Sequence, residues 1–366
     1  MSAARDLAWM EMAYGLAEKA RGRTSPNPLV GAIVVRDGEA VGHGYHEEPG
    51  KPHAEILALG MAGPRVKGAT LYLTLEPCVH WGRTAPCVDT VVAAGLRRVV
   101  VSAVDPNPLV NGKGIRRLEE AGIDVSVGLL AERNAALNEA HAKYIIRKVP
   151  FVTLKAALTL DGKIACASGE AKWISSAATR DYVHLVRGEQ DALLIGINTL
   201  VADDPLLTVR HEAWPSKKVL RAVLDSGLRF PLTSRILSTL DRGRIVVFAG
   251  AGAPREKAGA LEALGVEVLF PRDGARIWSL AQVLAELGRR EIAALLVEGG
   301  SRVFTSFIEE GLADKAILTL APCLFGGAAA PGLFGGDGVG RVDGAVALKR
   351  TRSFTIEDDI IVEGYF

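Results

Sequence analysis

Apolar residues along this chain fall into short β-branched runs separated by stretches with helical spacing. The opening segment places Leu7, Met10, Ala13, Leu16, Ala17 and Ala20 near one face of a first helix. LVGAIVVRDG (29–38) reads as a strand ending in an Asp-Gly turn, with EAVGHGYH (39–46) returning beside it. HAEILALGMAG (53–63) has helical spacing at Ile56, Leu57 and Leu59 and a glycine stop. ATLYLTLEP (69–77) reads as a strand, TAPCVDTVVAAG (84–95) as a helix, RRVVVSAVD (97–105) as a strand, IRRLEEAG (115–122) as a helix and IDVSVGLL (123–130) as a strand. Such alternation predicts an α/β sandwich around a central sheet.

The pattern changes near 147–151, where a long helical stretch ends and VPFVTLKAALTLDG begins a new strand behind Pro150. The boundary is therefore set between a first domain, 1–147, and a second, 148–366. Strands follow at 191–197, 221–226, 244–250, 266–270, 293–299 and 313–322, with helices fitting between several of them. This predicts a second α/β domain.

A length of 366 residues agrees with two domains. Lys and Arg number 43 against 42 Asp and Glu, a net charge of +1, so the total lacks the basic excess expected of a protein that grips long nucleic acid. No run of eighteen apolar residues predicts a transmembrane helix, and Asp6 and Glu11 interrupt the opening segment where a secretory signal would be apolar. Four cysteines, Cys78, Cys87, Cys166 and Cys323, suit a reducing, cytoplasmic setting better than a disulfide scaffold. Cys166 and Cys323 read as ordinary buried thiols.

The chemistry concentrates at 53–87. His53 begins a helix, Glu55 lies two residues on, Cys78 follows Pro77 at a strand end, and Cys87 opens the next helix. One histidine and two thiolates suit Zn²⁺, and three protein ligands leave a fourth position open, as in catalytic sites. Helix N-termini favour the thiolate. Bound zinc lowers the pKa of water to about 7, and Glu55 would carry protons to a leaving amine. His-Ala-Glu and Pro-Cys satisfy the zinc-deaminase pattern H-x-E…P-C-x-x-C, but eight residues separate these cysteines where that pattern has two. A structural zinc would need a fourth ligand, for which His80 is placed; His43 and His46 read as loop or substrate-side residues.

The longer run TLEPCVHWGRTAPC, with PNPLVGAIVV and GYHEEPGKPHAE before it, closely resembles the RibD family, which joins a pyrimidine deaminase to a reductase in riboflavin biosynthesis. The family's intercysteine loop carries His-Gly-Arg-Thr, matched here by His80, Gly82, Arg83 and Thr84, while Val79 and Ala85 replace its usual Ser and Pro. The resemblance continues through LKAALTLDGKIA, SGEAKWISS, LIGINTLVADDPLLTVR, VLDS and VEGG, and so spans nearly the whole chain. It implies a cytidine-deaminase-like α/β/α sandwich followed by a dihydrofolate-reductase-like domain that uses NADPH. It implies a substrate contact from Asn27, and cofactor contacts from Ala157, Trp173, Thr199, Asp203, Ser226 and the Gly300–Ser301 turn. It implies substrate contacts from Lys155, Ala171, Arg187, Leu207, Arg210 and Glu298, with Asp161 also in a matching position. The implied substrates are phosphorylated pyrimidines, and the implied assembly is a homo-dimer or tetramer.

Read without the family, Trp173 is a core residue, Asp203-Asp204-Pro205 a helix-ending turn, the arginines surface residues, and VEGGSRVF a tight strand-to-helix turn or a weak phosphate cradle. Three other functions fit parts of the sequence: a deaminase acting on tRNA adenosine, a non-catalytic zinc-stabilised binding module, and a chain with only one active domain.

Overall fold

The apolar runs become two separate sheets, one in each of the units Met1–Val149 and Pro150–Phe366. The computed structural model describes residues 3–81, 86–272 and 274–366; Gly82, Arg83, Thr84 and Ala85, named above from the intercysteine loop, lie outside the described residues.

The first unit runs α1 (Ala3–Glu18), β1 (Gly31–Arg36), β2 (Glu39–Tyr45), α2 (Ala54–Ala62), β3 (Thr70–Leu73), α3 (Cys87–Ala93), β4 (Arg98–Val101), α4 (Lys113–Glu120), β5 (Asp124–Val127), α5 (Ala131–Leu137) and α6 (Glu139–Arg147). The sheet order is β2-β1-β3-β4-β5. β1 pairs antiparallel with β2 and β3, while β3–β4 and β4–β5 are parallel. Period-two alternation divides the side chains between two cores. Ala32, Val34, Leu71, Leu73, Val99 and Val101 join Ala54, Ala58, Val88, Val91 and Leu118 on the α2–α3–α4 side. Ile33, Val35, Tyr72 and Val100 join Met10, Ala13 and Tyr14 of α1 on the other. Both faces are covered, which is why the strands read as continuous apolar runs.

α2 lies against β2 because that strand carries glycines. A Cβ at Gly42 would stand 2.2 Å from Ala58 O, and one at Gly44 2.5 Å from Ala54 O. The close approach fixes where the start of α2 sits, and with it His53 and Glu55. Two elements differ from the sequence pattern. β3 ends at Leu73 rather than at Pro77, because the chain turns away to deliver Glu76 and Cys78. The helical stretch after 131 breaks at Asn138, whose Oδ1 accepts Leu29 N–H and whose Nδ2 donates to Leu29 O; the side chain is used for a distant loop.

The second unit runs β6 (Phe151–Thr159), α7 (Ala177–Gly188), β7 (Ala192–Gly196), α8 (Ile197–Asp203), β8 (Leu220–Asp225), β9 (Ile245–Ala249), α9 (Arg255–Ala263), β10 (Val266–Leu269), α10 (Leu280–Arg289), β11 (Ala294–Val297), α11 (Ser301–Glu309), β12 (Lys315–Ala321), β13 (Lys349–Ile356) and β14 (Asp359–Tyr365). Its sheet order is β10-β9-β8-β7-β11-β6-β12-β14-β13, parallel as far as β12 and antiparallel beyond. The pattern does not predict the β13–β14 hairpin, because β13 is mostly exposed and opens on the basic Lys349, Arg350 and Arg352. Asp359 in that hairpin accepts Ser176 N–H at 2.8 Å, and Ser176 caps α7 by accepting Thr179 N–H. α10 begins with a Ser279/Gln282 capping box. Cys166 and Cys323 are half-buried, not buried as expected, since each lies on an irregular segment outside the sheet.

Candidate active sites

In the first unit the fold converges two helix starts on the end of β3. His53 is the N-cap of α2 and Cys87 is the first residue of α3. Cys87 Sγ lies 3.0 Å from His53 Nδ1, Cys78 Sγ lies 3.6 Å from it, and Cys87 N–H donates to Cys78 Sγ at 3.3 Å. The three ligand-type atoms lie within 4.8 Å of one another. Among the described residues the group holds these three and excludes His80, which favours an open fourth position over a closed structural site. The hydrogen bond from Cys87 brings the Cys78 thiol down to about 4, while Cys78 pushes Cys87 upward. Metal ligation takes the thiolate form, so a divalent cation would displace any proton these sulfurs hold. This donor set fits zinc.

Glu55 is 3% exposed, and burial raises its carboxyl above the usual range. A buried carboxyl whose proton affinity is raised, beside a ligand cluster, suits proton transfer. Asn27 reaches the same place through His46. Asn27 Nδ2 donates to His46 Nε2 at 3.1 Å, His46 Nδ1 donates to Pro52 O at 3.3 Å, and the His46 ring meets the His53 ring edge-on at 5.2 Å between centroids. His46, in the loop just after β2, is therefore a buried link between Asn27 and His53.

The sequence reading misses Glu76. Its carboxylate accepts four backbone N–H groups, those of Asp105, Gly112, Gly114 and Ile115, and so holds the chain after β4 against the segment that carries Cys78. Its one sequence signal is its place two residues before Cys78, inside an apolar strand pattern.

In the second unit Glu298, just after β11, lies between two cations. Arg187 of α7 forks onto it, Nε to Oε1 at 2.5 Å and Nη2 to Oε2 at 2.8 Å, and Lys155 Nζ of β6 is 3.6 Å from Oε2. Burial alone would raise the Glu298 carboxyl, but Arg187 and then Lys155 hold it down at about 2. Burial pulls Lys155 below the usual lysine range. Arg187 Nη1 also donates to Thr208 O at 3.4 Å, Arg210 Nη1 donates to Thr208 Oγ1 at 2.9 Å, and Leu207 beside them is buried with φ of 48°.

The expected cofactor residues gather in part at the carboxyl ends of parallel strands, the usual place for a ligand crevice. Thr199 follows β7, Ser226 follows β8, and Gly300–Ser301 follow β11. A Cβ at Gly299 would stand 2.7 Å from both Gly196 N and Ile195 Cα, and one at Gly300 3.1 Å from Thr199 Oγ1. Only glycine lets the turn lie this close to β7, and α11 then starts at Ser301, a helix start whose N–H groups would fit a cofactor phosphate. Trp173 is 71% exposed, not core, and its ring lies under the Arg180 guanidinium at 4.6 Å. Lys172 Nζ donates to Asp203 O at 2.5 Å, and Asp203 ends α8 as the turn reading expects. Ala157 is in register with Thr319 of β12, Ser226 O accepts Gly250 N–H, and Ala171 is half-buried; none of the three joins the charged cluster among the described contacts. Asp161 anchors a turn, accepting from Thr159 Oγ1, Phe325 N and Gly326 N.

Residues 150–362 match the family model of the RibD C-terminal domain, and residues 3–103 match that of the cytidine and deoxycytidylate deaminase zinc-binding region. The chain is 43% identical over 358 residues to the riboflavin biosynthesis protein RibD of Aquifex aeolicus, covering 98% of this chain and 97% of that one. The solved structure of Acinetobacter baumannii RibD superposes with a TM-score of 0.86 at 36% identity, covering 99% of each chain. The diaminohydroxyphosphoribosylaminopyrimidine deaminase/5-amino-6-(5-phosphoribosylamino)uracil reductase of Thermotoga maritima does so with a TM-score of 0.86 at 34% identity, again covering 99% of each.

Proposed function

The chain belongs to the RibD family and is a bifunctional deaminase–reductase of riboflavin biosynthesis, and from that premise we propose how its residues divide the two reactions. A deaminase domain precedes a dihydrofolate-reductase-like domain. The first removes the 2-amino group of 2,5-diamino-6-ribosylamino-4(3H)-pyrimidinone 5′-phosphate as ammonia. The second reduces the ribosyl chain of the product to ribityl.

His53, Cys78 and Cys87 hold a zinc ion, which when bound supplies the Lewis acidity that lets water ionise near neutral pH. Glu55 accepts the proton that the attacking water gives up and delivers it to the departing amine nitrogen. Asn27, held by His46, orients the pyrimidine. The observation that carries this reading is the approach of three ligand atoms to within 4.8 Å, with a buried carboxyl two residues from one of them.

In the reductase domain NADPH supplies the hydride. Ala157, Trp173, Thr199, Asp203, Ser226, Gly300 and Ser301 bind that cofactor. Lys155, Ala171, Arg187, Leu207, Arg210 and Glu298 face the substrate, and the two arginines meet its phosphate, for which guanidinium forks are suited. The protein works in the cytoplasm as a homo-oligomer; no described helix is long and apolar enough to cross a membrane. The tRNA-deaminase reading loses its support, because the reductase half matches a family model of its own.

Glu55→Gln tests the assignment. The variant is expected to keep its zinc, lose ammonia release by about 10²–10⁴-fold, and still consume NADPH on the deaminated intermediate. Wild-type ammonia release would remove Glu55 from the mechanism, and loss of NADPH consumption in the unmutated protein would leave one working domain.

A further inference from the structure

α7 touches the 207–210 segment at two points one turn apart. Arg187 donates to Thr208 O, and His184 Nδ1 accepts the backbone N–H of Arg210 at 3.3 Å. That segment lies in the irregular stretch between α8 and β8, where neither helix nor strand fixes it. The Arg210 side chain is tied to its own segment through Thr208 Oγ1, so its guanidinium goes where the backbone goes. Glu298 is engaged by Arg187 and Lys155, whereas Arg210 is exposed and has no carboxylate partner among the described residues. It is a cation open to an incoming anion.

A backbone N–H donates and cannot accept, so His184 Nδ1 must be bare and the ring hydrogen must sit on Nε2. The charged groups facing the ring are Asp181 and Arg187 of its own helix, Arg210 across from it, and Glu298 after β11. Burial, then Arg187 and Arg210, hold the imidazole down at about 4, which keeps Nδ1 available as an acceptor at neutral pH.

We propose that His184 is a positioning residue of the reductase: by accepting Arg210 N–H it fixes the 207–210 segment so that the Arg210 guanidinium meets the 5′-phosphate of the substrate. This rests on the reading of Arg187 and Arg210 as the phosphate-binding pair.

The test is steady-state reduction by NADPH of the phosphorylated ribosylaminouracil and of its 5′-dephosphorylated form, in the full chain. His184→Ala is expected to raise KM for the phosphorylated substrate about fivefold, the worth of one hydrogen bond. It leaves kcat, KM for NADPH and KM for the dephosphorylated form unchanged. His184→Asn, whose Oδ1 can accept the same N–H, restores most of the loss. His184→Phe keeps ring volume without an acceptor and is expected to match the alanine variant, standing in for it if that variant does not fold. An unchanged KM for the phosphorylated substrate, or an equal rise for both substrates, overturns the proposal. Arg210→Ala separates the two readings. If it treats the two substrates alike, the phosphate reading fails and the role of His184 falls with it. If it discriminates and the His184 variants do not, only the role of His184 fails.

Discussion

Replacing Glu76 by glutamine changes one oxygen for one NH₂ and keeps the shape of the side chain. In the native site Oε2 accepts from Asp105 N at 3.1 Å and Gly112 N at 2.8 Å, and Oε1 from Gly114 N at 2.7 Å and Ile115 N at 3.2 Å. Whichever way the amide turns, its NH₂ confronts two donors that have lost their acceptor. The side chain is 4% exposed, and the packing around it is tight: a Cβ at Gly114 would stand 2.3 Å from Pro77 O. Each buried unsatisfied donor costs roughly 1–3 kcal/mol, so the substitution should destabilise the deaminase unit by about 4 kcal/mol. For a unit of this size that is a fall in Tm of roughly 10 °C. Because Glu76 stands two residues before Cys78, zinc content and ammonia release should fall together while NADPH consumption persists. Calorimetry, metal analysis and the two activity assays on one preparation report all of this. A Glu76→Gln chain with unchanged Tm and a full complement of zinc would refute the claim that this carboxylate holds the metal-binding segment in place.

Chelation should abolish ammonia release, spare reduction of the deaminated intermediate, and be reversed by added zinc; Cys87→Ser should mimic it irreversibly, and a chelated chain that still releases ammonia would exclude the metal. Glu298 titrates near 2 in the fold against an ordinary 4.5, so between those values the unfolded chain binds more protons and stability falls as pH falls. The shift corresponds to about 3 kcal/mol lost by acid across that window, measurable as denaturant midpoints against pH. Glu298→Gln should remove that slope and, at neutral pH, cost roughly 3–5 kcal/mol by leaving Arg187 and Lys155 buried without their counter-charge; an unchanged slope would detach Glu298 from the pair.

The gathering of His53, Cys78 and Cys87 was legible because its parts are local. His53 and Glu55 share a helix start, Cys78 and Cys87 flank one loop, and residue type together with spacing nearly specifies the chemistry. Glu76 was not legible, since a glutamate beside Pro-Cys at a strand end carries no sign that four backbone groups from residues 105 to 115 will converge on it. Nor was His46, whose partners Asn27 and His53 come from different elements. In the reductase half periodicity located the parallel strands but not the C-terminal hairpin, where an exposed run with the basic Lys349, Arg350 and Arg352 at its start hides β13. Read without the family, Trp173 would be core because size and apolarity predict burial on average; its exposure here is decided by the loop that bears it.

The two sites use opposite devices to the same end. In the deaminase, rigid helix starts deliver the ligands directly, and buried acceptors such as Glu76 secure the one irregular segment involved. In the reductase, the buried trio of Lys155, Arg187 and Glu298 is locked by mutual charge, and such a trio is poorly placed to rearrange around a phosphate, because removing any member strands the others. In the proposed phosphate-binding pair Arg187 is therefore held in place by Glu298, and the adaptable member has to be a cation outside the trio. Arg210 is that cation, on a segment without regular structure, and its geometry is borrowed from α7 through Arg187 and His184. The consequence is a division that substitution can expose. Changes within the trio should lower stability and activity together. Changes at His184, the α7 contact of Arg210 that lies outside the trio, should alter substrate affinity at nearly constant Tm. A set of variants in which both groups lowered Tm equally would contradict that division.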